Sequence, residues 1–233
     1  MKQPVVDYKQ FRLSRVNEPQ YAHIKLLLGW LVYFAFYFLT ENLIPAERCH
    51  VMHCFLDDLV PFNEVFVIFY ISWFGLIVIS LLYFFLYDIQ SFKDLSWFII
   101  ITQIVAMIVY ILYPNRQDLR PEVFPRENFF TWVLGLLYAF DTPTGVCPSL
   151  HVAYSIGIGS VWLKQKDASP LWKAVLVVWI VMICLSVMFV KQHSAVDVIA
   201  ALPLGLLAEC LVFGGRYSAR AKKPKPAKSG NSL

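Results

Sequence analysis

Residues 190–201, VKQHSAVDVIAA, place His193 and Asp197 four positions apart. On a helix that spacing stacks two side chains on one face, one turn apart. A carboxylate so placed accepts a proton from one imidazole nitrogen, fixes the tautomer and leaves the other nitrogen basic. That is the arrangement of a nucleophile or base with its orienting group. A second imidazole, His151 in PSLH (148–151), is available to protonate a leaving group. Arg120, Lys191 and Arg116 are cations suited to an anionic group. Ser149 reads as the N-cap of the helix that follows, whose free N–H groups also favour an anion. Two imidazoles, a carboxylate and several cations without metal ligands spell phosphoryl transfer through a histidine.

Such groups need a scaffold, and composition names its class. The 233 residues are 58% hydrophobic and only 15% charged, against about 25% charged in soluble domains. The excess lies in long apolar runs, so the expected fold is all-α and polytopic, with about six membrane spans. Their approximate limits are 24–40, 62–87, 95–112, 149–163, 170–190 and 194–213. The stretch 129–140, FFTWVLGLLYAF, is too short to span and reads as an interfacial helix between the third and fourth spans. The organisation is therefore a polar segment 1–23, a membrane domain 24–213, and a basic tail 214–233 rich in Lys, Pro and Ser that reads as disordered. The first apolar run follows a polar stretch and reads as an uncleaved span rather than a signal peptide.

Basic residues orient the spans. With both termini on the cytoplasmic side, only Arg48, Arg116, Arg120, Arg126 and Lys191 of the 20 lysines and arginines fall outside. His151 and His193 then lie at one depth on the extracytoplasmic face, beside the arginine-bearing loop 113–128. That convergence follows from topology alone and marks a candidate site. On the same face, CHVMHC packs Cys49, His50, His53 and Cys54 together. Adjacent Cys49 and His50 cannot both point at one ion, and the spacing fits no common zinc pattern. A Cys49–Cys54 disulfide in an oxidising compartment outweighs a metal site. Cys184 and Cys210 fall inside spans and read as packing residues.

These residues resemble the type 2 phosphatidic acid phosphatase superfamily, whose motifs are written KxxxxxxRP, PSGH and SRxxxxxHxxxD. The second motif stands here as Pro148-Ser149-Leu150-His151, and the third as Ser186, His193 and Asp197 with Val187 at the arginine position. The first keeps Arg120-Pro121 with Tyr113 at the lysine position. The resemblance implies that His193 attacks phosphorus, Asp197 orients it and His151 protonates the leaving oxygen. Arg120, Ser149 and Tyr113 would hold the phosphate, with Lys191 and Arg116 the nearest replacements for the missing cations. Neither metal nor cofactor is expected. The implied activity is hydrolysis of a lipid phosphomonoester or diphosphate in the bilayer, with no nucleic-acid partner. Leu150 and KQH before the histidine resemble the inositol phosphorylceramide synthase branch, so transfer of a phospholipid headgroup to an alcohol stands as the alternative. A non-catalytic lipid-phosphate binder or transporter is the third reading.

Overall fold

A computed structural model describes residues 3–221. The chain forms α1 (Leu28–Leu43), α2 (Phe55–Leu59), α3 (Val67–Tyr87), α4 (Ile89–Leu112), α5 (Phe129–Phe140), α6 (Leu150–Lys164), α7 (Pro170–Phe189) and α8 (Ala195–Ala221). Short 3-10 turns precede α1 and α3, and two-residue strands β1 (His50–Val51) and β2 (Asn115–Arg116) pair in parallel. The segments Glu64–Tyr87, Ile89–Leu112, Pro170–Phe189 and Ala195–Tyr217 are long and apolar enough to cross a membrane. Helices α1 and α6, expected as the first and fourth spans, have 16 and 15 residues, short of the usual minimum of about 17. Ile68, Ile71, Val78 and Ile79 leave α3 with an apolar outward face, as a hydrocarbon solvent permits.

Helix α6 sits at the centre and packs against α4, α7 and α8. Small residues make that possible. A Cβ on Gly157 would meet the Phe98 ring of α4 at 2.5 Å, and one on Gly205 would meet Ile156 at 2.8 Å, so bare backbone brings the helices together. Ala153 is fully buried. Ser160 instead hydrogen-bonds Glu209 of α8, a carboxylate that also receives the Lys164 ammonium at 2.7 Å.

Asp88 alone joins α3 to α4. Its carboxylate accepts the Ser91 amide and hydroxyl at 3.1 and 2.6 Å, which caps α4. Helix α4 therefore begins at Ile89, and Lys93, expected in a loop, lies within it. The first segment also differs from a simple polar lead. Residues 3–27 fold back over the α3–α4 turn, with the Val5 amide bonded to the Leu86 carbonyl at 2.8 Å. At the far end α8 continues to Ala221, beyond the expected limit of 213. The rest of the basic tail, 222–233, lies outside the described residues.

Candidate active site

Three groups drawn from distant sequence meet where α6 and α8 begin. His193 Nδ1 lies 3.2 Å from Asp197 Oδ2, and the His151 and His193 rings approach edge to face with centroids 5.5 Å apart. Asp197 is fully buried and His193 nearly so. The local sequence explains the pairing. Helix α7 stops at Phe189, Lys191 takes a left-handed conformation (φ 55°), and the Val187 carbonyl accepts both the Gln192 and His193 amides. His193 therefore precedes α8 rather than riding on it.

Ser194 is the true start of α8. Its hydroxyl accepts the Val196 amide at 3.2 Å, while Asp197 Oδ2 accepts the Ser194 amide at 2.9 Å. The two bonds cap the helix start reciprocally, the hydroxyl taking the N2 amide and the N3 carboxylate reaching back to the N-cap amide. One carboxylate oxygen thus holds both the helix start and the imidazole that stands before it. Holding Nδ1 leaves His193 Nε2 as its reactive nitrogen. The Ser149 amide donates to the Asp197 carbonyl at 3.1 Å, tying α6 to α8.

The carboxylate that locks this start had no signature in the sequence. Asp57, buried in the first turn of α2, accepts the Ser194 hydroxyl at 2.6 Å, the Ala195 amide at 2.7 Å and the Cys54 amide at 2.8 Å. Burial raises its pKa, but the hydroxyl and two amides outweigh burial and hold it below the ordinary carboxylate value. A depressed folded-state pKa stabilises above the unfolded value and is lost as pH falls through the folded one. Acidification below about pH 4 should therefore loosen this corner. Asp57→Ala leaves three donors without their acceptor and should cost about 3 kcal/mol, with Asp57→Asn intermediate. Thermal unfolding in detergent measures both.

The five expected phosphate ligands occupy other roles. The Lys191 ammonium donates to the Asp57 and Val60 carbonyls at 3.0 and 2.6 Å, and burial draws its pKa down against the charges of Asp57 and Asp58. Arg116 bonds the Ala46 carbonyl at 3.1 Å and Asp118 at 3.1 Å. Tyr113 stacks on His50, centroids 4.2 Å apart. Ser149 stands at the N-cap of α6, yet its hydroxyl is buried and makes no capping bond. Arg120 reaches Gln192 Oε1 at 2.8 Å and the carbonyls of Tyr138, Asp141 and Thr142 at 3.0–3.2 Å, its guanidinium over the Tyr138 ring. The expected Cys49–Cys54 disulfide is not formed. Both thiols are free, Cys49 directed at the Pro45 carbonyl and Cys54 serving as the cap of α2.

Other residues build the wall. A cavity of about 850 Å³ reaches His151 and His193, and its polar end is completed by Asp141, Thr142, Thr144 and Gln192. None of Arg120, Ser149, Lys191, Tyr113 and Arg116 lines it among the described residues. Gln192 Nε2 and the Tyr70 hydroxyl both donate to Asp141 Oδ2, at 3.0 and 3.3 Å. His151 packs against the Tyr70 and Trp73 rings, and its Nε2 has no hydrogen-bond partner among the described residues. Asn115 shapes the approach, its Oδ1 accepting the Val146 and Cys147 amides at 2.8 Å each. Burial and then the Asp197 carboxylate push the Cys147 thiol up to about 12, which keeps it a neutral neighbour of that carboxylate.

The arrangement can therefore present one oriented imidazole and one unpaired imidazole to a group seated at the polar end of an apolar cavity. Comparison of the chain with protein-family models, curated proteins and solved structures gave no match.

Proposed function

We propose that the protein is an integral membrane lipid phosphatase of the type 2 phosphatidic acid phosphatase kind. It would remove phosphate from a lipid phosphomonoester or diphosphate through a phosphohistidine. The observation that carries this reading is the His193–Asp197 pair facing His151 at the polar end of an otherwise apolar cavity. In the first step His193 Nε2 forms a bond to phosphorus as the bond to the leaving oxygen breaks, and His151 supplies that oxygen with a proton. Water then attacks the phosphohistidine and His151 takes its proton back. Arg120 acts at one remove, through Gln192 and the carbonyls of residues 138–142, and is a positioning residue.

In this reading α1 and α6 complete six spans, both termini are cytoplasmic and the site faces the extracytoplasmic side. Helix α5 lies in the interface, where its exposed Phe129, Trp132, Leu136 and Phe140 would meet lipid.

Headgroup transfer to an alcohol is the second reading, and one feature of the wall is compatible with it. The polar wall carries the Asp141 carboxylate, already accepting the Tyr70 hydroxyl, where a phosphatase would place cations. A carboxylate there suits an incoming alcohol as well as water.

The test uses detergent-purified protein in EDTA. It follows phosphate release from short-chain phosphatidate and from a prenyl diphosphate. Release from either is the expected result. If release is absent but a phospholipid donor and an added alcohol yield a new phosphodiester, the transferase reading replaces it. If lipid phosphate binds and neither reaction occurs, the protein is a binder.

A further inference from the structure

The cavity that ends at His151 and His193 extends far past them. It follows α3 along Trp73, Ile77, Leu81 and Phe85, a stripe repeating every fourth residue, with α1 as the facing wall. Twelve residues of helix separate Trp73 from Phe85, a rise of about 18 Å. One leaflet of hydrocarbon is only about 15 Å deep, half of a core of about 30 Å. Apart from the phenols of Tyr110 and Tyr154, its titratable lining groups, Asp141, His151 and His193, all stand at one end. The remainder of the lining offers no charge to a polar occupant, so a hydrocarbon chain suits it.

The opposite end is closed in an unusual way. Phe85 and Phe92 form the floor, and the N-terminal arm is fastened beneath them. The Tyr8 ring stacks on Phe85 at 4.7 Å, and its hydroxyl donates to the Phe85 carbonyl at 2.8 Å. The same oxygen lies 2.8 Å from His23 Nε2, and the buried His23 ring packs on Phe85 and edge-on to Phe92 at 5.1 and 5.8 Å. A second tie joins the Val5 amide to the Leu86 carbonyl. A polar arm bolted across an apolar cleft defines where an occupant must stop.

We propose that the N-terminal arm fixes the floor of this cleft, so that Phe85 and Phe92 set the longest hydrocarbon tail accepted by the site. This rests on the reading of the site as one for a lipid phosphate. A tail in the cleft exchanges lipid neighbours for apolar side chains, so length is sensed by the floor rather than by attraction. Affinity should change little with chain length until the tail reaches Phe85, and then fall. Leu81 lies about 6 Å above Phe85 by helix rise, so a bulky ring there should raise the floor.

Binding of a homologous series of straight-chain alkyl phosphonates, which cannot be hydrolysed at phosphorus, is measured by calorimetry on the full chain in one detergent. Leu81→Trp should move the break to shorter chains and weaken the best wild-type ligand about tenfold. Phe85→Ala should move the break to longer chains. A break that stays in place in a folded Leu81→Trp protein overturns the proposal, whatever Phe85→Ala does. Cleavage of the matching alkyl phosphates is followed in parallel. A moving break with no phosphate released keeps the ruler and discards the phosphatase, whereas release with an immobile break does the reverse.

Discussion

Replacing His193 by alanine is expected to lower phosphate release by at least about 10³-fold, with no residual covalent phosphate on the protein. The size of the effect follows from the role: without Nε2 there is no atom to form the intermediate, and no neighbour can substitute. The other imidazole should behave differently. His151→Asn removes the proton donor, a loss of about 10²–10⁴-fold with an alkyl leaving group. An aryl leaving group that departs without protonation should restore most of that activity to His151→Asn and none to His193→Ala. The pair of substrates therefore separates nucleophile from acid. Equal losses with both substrates in both variants would make the histidines joint parts of a binding site instead.

What could be seen beforehand, and what could not, has a physical pattern. The meeting of His151 with His193 was expected from the topology read off the basic residues, and the two rings do approach each other where α6 and α8 begin. The contact between His193 and Asp197 follows from their spacing, although the chain makes it across the Ser194 cap rather than on one helical face. Ser194-x-x-Asp197 is a readable capping signal, and it agrees with the expected start of the last span at 194. Each apolar run appears as a helix, but the limits are less legible, since α4 begins at Ile89 and α8 continues to Ala221. Cation roles were not legible. Lys191 is held by two main-chain carbonyls and Arg116 in part by another, acceptors that every residue carries and that leave no mark in sequence. Asp57 was invisible for the complementary reason. Its three donors come from Cys54, Ser194 and Ala195, two of them more than a hundred positions away. The closed floor of the cleft depends likewise on where residues 3–27 fold back.

Arg120 offers the second large effect, and its charge is the lesser part of it. One guanidinium spans Gln192 Oε1 and the carbonyls of Tyr138, Asp141 and Thr142. Those carbonyls belong to the last turn of α5 and the strand of chain just beyond it, where unpaired C=O groups and the helix dipole attract a cation. The Tyr138 hydroxyl in turn donates to the Val190 carbonyl at 2.6 Å, and Gln192 adjoins His193. Removing the fork should therefore free both the end of α5 and the turn that aims the nucleophile. Arg120→Ala is expected to cost about 2–4 kcal/mol in unfolding free energy. Arg120→Lys keeps the charge but cannot match a planar set of acceptors, and should recover less than half of that. Kinetics decide between positioning and phosphate binding. Since Arg120 does not line the cavity, kcat should fall about 10²-fold in Arg120→Lys while inhibition by inorganic phosphate stays within about threefold of wild type. A phosphate affinity that collapses with kcat nearly intact would put the guanidinium on the substrate itself, and would require the 138–142 chain to release it when lipid binds.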